Sequence, residues 1–167
     1  MTTENRKIIF TGPVGAGKTT YANRLGRKLK TAPLVLDDWM ANLFRPDRPD
    51  GEIWAWYGER KQRCIEQIWR VAQSQIAMGS DAIIELGLVQ REGRMAFYQR
   101  VEMAEIAYRV HVLDAPVEER RQRVRTRNVE QGETFAMTVS DNVFAMASAM
   151  WEAVDEAECA ARDFVFV

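Results

Sequence analysis

The run Gly12-Pro13-Val14-Gly15-Ala16-Gly17-Lys18-Thr19 constrains this chain more than any other stretch. It fits G-x-x-x-x-G-K-[ST], the spacing of a loop that wraps a phosphate chain. Glycines at these positions let the backbone approach a ligand closely, and the successive N–H groups form an anion nest. Lys18 is placed to reach the outer phosphates as a point charge, and the Thr19 hydroxyl to ligate Mg²⁺. With Thr20, these residues also open a helix whose positive dipole end adds to the same place. Both flanks agree. Lys7-Ile8-Ile9-Phe10-Thr11 is expected to be a short buried strand, and Thr20 to Lys30 a helix with Tyr21, Ala22, Leu25 and Leu29 on one face. The sequence therefore predicts a binder of a nucleoside triphosphate with Mg²⁺.

At 167 residues the chain is expected to be one domain, 1–167. The net charge of −1 supplies no global field for nucleic acid or anionic membrane. Cys64 and Cys159 lack metal-ligand spacing and are expected to be free buried thiols. No run is long enough to span a bilayer, and Met1 to Arg6 carries no apolar targeting segment, so a cytoplasmic location is expected.

Further along, Leu34-Val35-Leu36 is predicted as a second strand ending on Asp37-Asp38, with Met40 to Gly51 irregular. A helix is expected over Glu52 to Met78, with Trp54, Tyr57, Ile65, Ile68, Ala72 and Ile76 on its apolar stripe and Gly58 as a possible bend. Trp39, Trp54, Trp56 and Tyr57 fit either core packing or an acceptor pocket. Asp81 to Leu86 is a third, fully buried strand, followed by a helix from Arg91 to Ala104. Tyr108 to Leu113 alternates like a partly exposed fourth strand holding His111, the sole histidine, for which no catalytic role is expected. After the turn Asp114-Ala115-Pro116 come an arginine-dense helix, Val117 to Arg127, another helix near Ala136 to Ala153 and a last strand, Asp163 to Val167. Strands alternating with helices give an α/β fold with a five-stranded parallel sheet covered on both faces.

Transfer of a phosphoryl group is mostly positioning and charge neutralisation. Asp37 is placed as the base that accepts an acceptor hydroxyl's proton, with Asp38 as a helix cap or in the Mg²⁺ shell. Arg123 and Arg127 share a helix face at i,i+4 and fork onto phosphate oxygens, with Arg120 on the same stripe. Glu85, ending the third strand, is a candidate to hold Mg²⁺ through water or to touch the acceptor.

These residues resemble the small P-loop kinases of the polynucleotide-kinase, chloramphenicol-phosphotransferase, gluconate-kinase and zeta-toxin group. The resemblance implies a P-loop three-layer sandwich with a small arginine-bearing lid at about 117–136. It puts Asp37 in the place of the general base, and Arg123 and Arg127 on the lid. Met40 stands where the polynucleotide kinases carry a phosphate-gripping arginine, and Glu85-Leu86-Gly87-Leu88 replaces their polar strand end. The expected partners are thus ATP and a small-molecule alcohol, with nucleic acid disfavoured and the chain a monomer or homodimer. Polynucleotide 5′-hydroxyl kinase and a nucleotide-binding switch or ATPase are the alternatives, although no N-K-x-D guanine-reading motif is present.

Overall fold

Strand β1, Lys7–Thr11, is the middle of a five-stranded sheet in a computed structural model that describes residues 7–167. The expectation about Met1 to Arg6 lies outside the described residues. The remaining strands are β2 (Leu34–Val35), β3 (Ala82–Glu85), β4 (Arg109–Val112) and β5 (Phe164–Phe166), and the order is β2-β3-β1-β4-β5. Every pairing is parallel. Ile9 pairs with Ile84 on one side and Val110 on the other, so the apolar runs stack in register.

The two faces are covered by different helices. Ile8, Phe10 and Ile83 pack under Tyr21, Ala22, Leu25 and Leu29 of α1 (Lys18–Leu29). Ile9, Ile84 and Val110 pack against the other layer. That layer holds α2 (Leu36–Leu43), α3 (Ile53–Ala77) and α4 (Arg91–Met103), which contribute Met40, Ile68, Trp69, Phe97 and Tyr98. Beyond β4 come α5 (Val117–Glu130), α6 (Asp141–Ala149) and α7 (Glu156–Ala161). Among the described residues no helix is long and apolar enough to cross a membrane.

Several expected boundaries differ. The second strand stops at Val35, and α2 begins at Leu36 and runs into a 3-10 turn over Arg45–Asp47, so most of the stretch expected to be irregular is ordered. The reason is an apolar pair at i,i+4, Leu36 and Met40, both buried in the core. Helix α3 passes through Gly58 without a break, and its buried stripe leaves out Trp54, which is 76% exposed. Strand β4 is interior, with Val110, His111 and Val112 all buried, because β1 and β5 flank it and the Tyr21 ring lies 5.8 Å from the imidazole. Burial, reinforced by the Arg109 charge, holds the His111 pKa below its ordinary value. The helix expected from Ala136 starts only at Asp141, where the Ser140 hydroxyl accepts the Val143 N–H. The short α7, which holds Cys159, is opened by an Asp155–Glu158 capping box. Cys64 is buried as expected, Cys159 is half-buried, and both are free.

Candidate active site

The carboxyl edge of the parallel strands gathers the expected chemistry, as the topology requires where β1 is flanked by β3 and β4. The phosphate loop leaves β1 and enters α1 through Gly17, which lies in the left-handed region at φ 91°. Lys18 Nζ donates to the carbonyls of Gly12 (2.9 Å) and Pro13 (3.0 Å), so the ammonium lies across its own loop. Ala16 N–H donates back to Pro13 O at 3.3 Å, which closes the tip of the loop.

Strand β3 is hydrogen-bonded beside β1, and this brings Glu85 to the loop. The Thr19 hydroxyl donates to Glu85 Oε2 at 3.0 Å. Glu85 is 3% exposed. Burial drives its pKa up; the Lys18 charge pulls it down, and the Asp37 charge pushes it up again. Asp37 and Asp38 sit in the first turn of α2, where the helix dipole favours carboxylates. Asp37 is exposed, while Asp38 is half-buried with its pKa raised by burial and then by Asp37. The Tyr57 hydroxyl of α3 is pushed up to about 12, first by burial and next by the Asp37 charge. Asp37, Asp38, Glu85 and Tyr57 therefore form one electrostatic neighbourhood next to the loop. Trp39 and Tyr57 pack on the core, and Trp54 stands out in solvent.

On the opposite side, α5 lies along the loop. Arg123 Nη1 donates to Ala16 O at 3.4 Å, and its Nη2 pairs with Glu119. Arg127 is half-buried, and its Nε is buried with no hydrogen-bond partner among the described residues. Arg120, on the same stripe, also faces the loop: it is 6% exposed and donates to Val14 O, Ala115 O and the Ser148 hydroxyl. Met40 is buried in the core at 4% exposure. Thr11 was not singled out from the sequence, yet its buried hydroxyl donates to Leu88 O at 2.7 Å and ties the loop after β3 to β1. Its position at the end of an apolar strand was the one available signal.

A family model described as an AAA domain matches residues 8–162. The chain belongs to the AAA domain family. The shikimate kinase of Azobacteroides pseudotrichonymphae is 30% identical to this AAA domain protein over 113 residues, which cover 68% of this chain and 62% of that kinase. The match thus spans less than two thirds of that relative's length. An unliganded sugar kinase from Janibacter superposes with a TM-score of 0.62 at 15% identity, covering 98% of this chain and 84% of that one. Kti12 of Chaetomium thermophilum, solved in complex with ADP-AlF3, gives the same TM-score at 15% identity, with 96% and 87% covered. The fold is therefore one that this chain shares with both of those proteins.

Proposed function

We propose that this chain transfers the γ-phosphoryl group of ATP to the hydroxyl of a small-molecule alcohol. One observation carries the reading. The phosphate loop after β1, the Thr19–Glu85 pair from α1 and β3, and Asp37 just past β2 share one edge of the sheet. A base beside the loop is what transfer to an acceptor needs beyond nucleotide binding. The shikimate kinase relative supports the same class of reaction.

In this reading the loop N–H groups and Lys18 hold the phosphates. Asp37 accepts the acceptor hydroxyl's proton as the new O–P bond forms, and the P–O bond to the ADP leaving group breaks. Arg123 and Arg127 close from α5, exclude water and spread the charge. The segment 117–136 acts as the lid of a single domain.

The residues present fit Mg²⁺. A hydroxyl and a buried carboxyl oxygen already meet at 3.0 Å, and burial disfavours a charge on Glu85 that a bound cation would favour. Mg²⁺ keeps waters and phosphate oxygens as ligands and needs only one or two protein groups. Thr19 would ligate it, with Glu85 and Asp38 in its water shell. Bound there, it would neutralise phosphate charge.

The acceptor is favoured to be a small alcohol because Met40, at the place of the polynucleotide kinases' arginine, is buried. The test is transfer of labelled γ-phosphate to a fractionated metabolite extract and to a 5′-hydroxyl oligonucleotide. Label in a small-molecule fraction, reduced about 10²–10⁴-fold by Asp37→Asn with ATP binding retained, is the expected result. Label on the oligonucleotide alone, or ATP binding with label on neither, would overturn it.

A further inference from the structure

We propose that Arg120 is a positioning residue that sets the phosphate loop's anion nest by locking one peptide plane. The inference rests on the nucleotide reading of the loop. A nest works only if its N–H groups face the anion. In a planar trans peptide the C=O and the following N–H point in opposite directions, so fixing one fixes the other. The Val14–Gly15 peptide precedes a glycine at φ 77°, where no Cβ fixes the turn. Arg120 Nη1 donates to Val14 O at 3.0 Å. That bond holds the Val14 carbonyl toward α5 and turns the Gly15 N–H the other way.

The guanidinium is itself held. Its Nε donates to Ala115 O at 2.9 Å, and Nη1 also donates to the Ser148 hydroxyl at 2.9 Å. Its Cζ lies 5.7 Å from the centroid of the Phe144 ring, and Asp114 stands 3.8 Å from Nε. A planar fork satisfies the carbonyls of residues 14 and 115 and the Ser148 hydroxyl at once; a lysine ammonium on a flexible stem does not. The backbone of Arg120 is equally close: a Cβ on Gly15 would lie 2.7 Å from Arg120 O and 3.0 Å from Arg120 Cβ. The first turn of α5 is thus seated on the loop, with the side chain of one residue holding the carbonyl before Gly15 and its backbone admitting only glycine there. Lys18 does the same for the Gly12 and Pro13 carbonyls, but it must leave them to meet a phosphate, whereas Arg120 is buried and stays.

The test compares binding of AMP and ADP, each with Mg²⁺, by calorimetry. The nest cradles the α- and β-phosphates, and only ADP brings the second, so a lock on the nest should act on the ratio Kd(AMP)/Kd(ADP). For Arg120→Met, and for Arg120→Lys, which keeps the charge and the stem, that ratio should fall about tenfold. Arg125→Met, the same change at an exposed pair with Asp141 on the same helix, should keep it within about twofold of wild type. A ratio unchanged by both Arg120 variants, whether their two affinities hold or fall together, would overturn the proposal and leave Arg120 as packing. If wild type bound no ADP at all, the nucleotide reading would fall first and this inference with it.

Discussion

Thr19 Oγ1 and Glu85 Oε2 lie 3.0 Å apart, 66 residues apart in sequence, and join the start of α1 to the end of β3. Glu85 is a buried carboxylate whose pKa is raised from its ordinary 4.5 by burial. The folded chain therefore binds this proton more tightly than the unfolded chain does. The stability it contributes is complete below pH 4.5 and is lost as pH rises through the raised value. Without nucleotide or metal, Glu85→Gln should then be more stable than wild type at neutral pH, with the difference shrinking on acidification. Thermal melts of the two proteins across pH check this. A difference that grows toward acid would contradict the sign.

The same residue should behave oppositely in turnover. If the carboxylate orients the shell of Mg²⁺, Glu85→Gln should lower Mg²⁺-dependent transfer by about 10–100-fold while nucleotide binding persists. Activity titrated against Mg²⁺ concentration measures it, and the variant should need more metal for half-maximal rate.

Arg94 and Glu158 form a fully buried bidentate pair, at 3.0 and 2.9 Å, and Arg94 also donates to the carbonyls of Val89 and Glu152. The pair joins α4 to α7 and holds the loop that follows Glu85. Removing one partner strands the other as a buried charge. Arg94→Met should cost about 3–5 kcal/mol in urea denaturation, and Arg94→Met with Glu158→Leu should recover much of that loss. An additive double variant would mean that the two charges do not depend on each other.

These contacts separate what was legible in the sequence from what was not. The phosphate loop, its strand and its helix were readable because their order is local: eight consecutive residues, an apolar run before them and a helical stripe after. The sheet followed from the alternation of strands and helices, and the place of Asp37 from the end of the second strand. Helical spacing puts Arg120 on the stripe of Arg123 and Arg127, but not its bond to Val14 O, because that partner is 106 residues away. Arg94 falls inside an expected helix, but nothing local marks its partner, because Glu158 lies 64 residues on. The alternation of β4 suggested exposure because His111 is polar, but the rings of Phe10 and Tyr21 cover it. Periodicity reports which face a residue takes, and not what a distant segment places against that face.

Two glycines should respond in opposite directions to the same substitution. A Cβ on Gly12, at φ 147°, would lie 2.0 Å from Leu113 O, where β1 and β4 run into the site. Gly12→Ala combines backbone strain with a clash against backbone and should cost at least about 3 kcal/mol. Gly58 is exposed inside α3 with nothing within 4 Å of a new Cβ. Gly58→Ala should stabilise by about 0.5–1 kcal/mol, the helix preference alone. Urea denaturation of both variants distinguishes a packed glycine from a spare one.

Arg127 carries the last prediction. Its Nε is buried with no partner among the described residues, whereas Arg123, one turn earlier, is engaged with Glu119 and Ala16 O. A buried guanidinium N–H without an acceptor is costly, and phosphate oxygens are an apt acceptor for its fork. If that acceptor is the transferring phosphoryl group, the arginine acts most strongly as charge develops there. Arg127→Ala should then lower turnover by about 10²-fold, with the ADP dissociation constant changed only a few-fold. Arg123→Ala should have the smaller effect on turnover, because its guanidinium must first leave Glu119. Single-turnover transfer and ADP titration on both variants decide the order. Equal rates for Arg127→Ala and wild type would mean that α5 presents a different face to the phosphates.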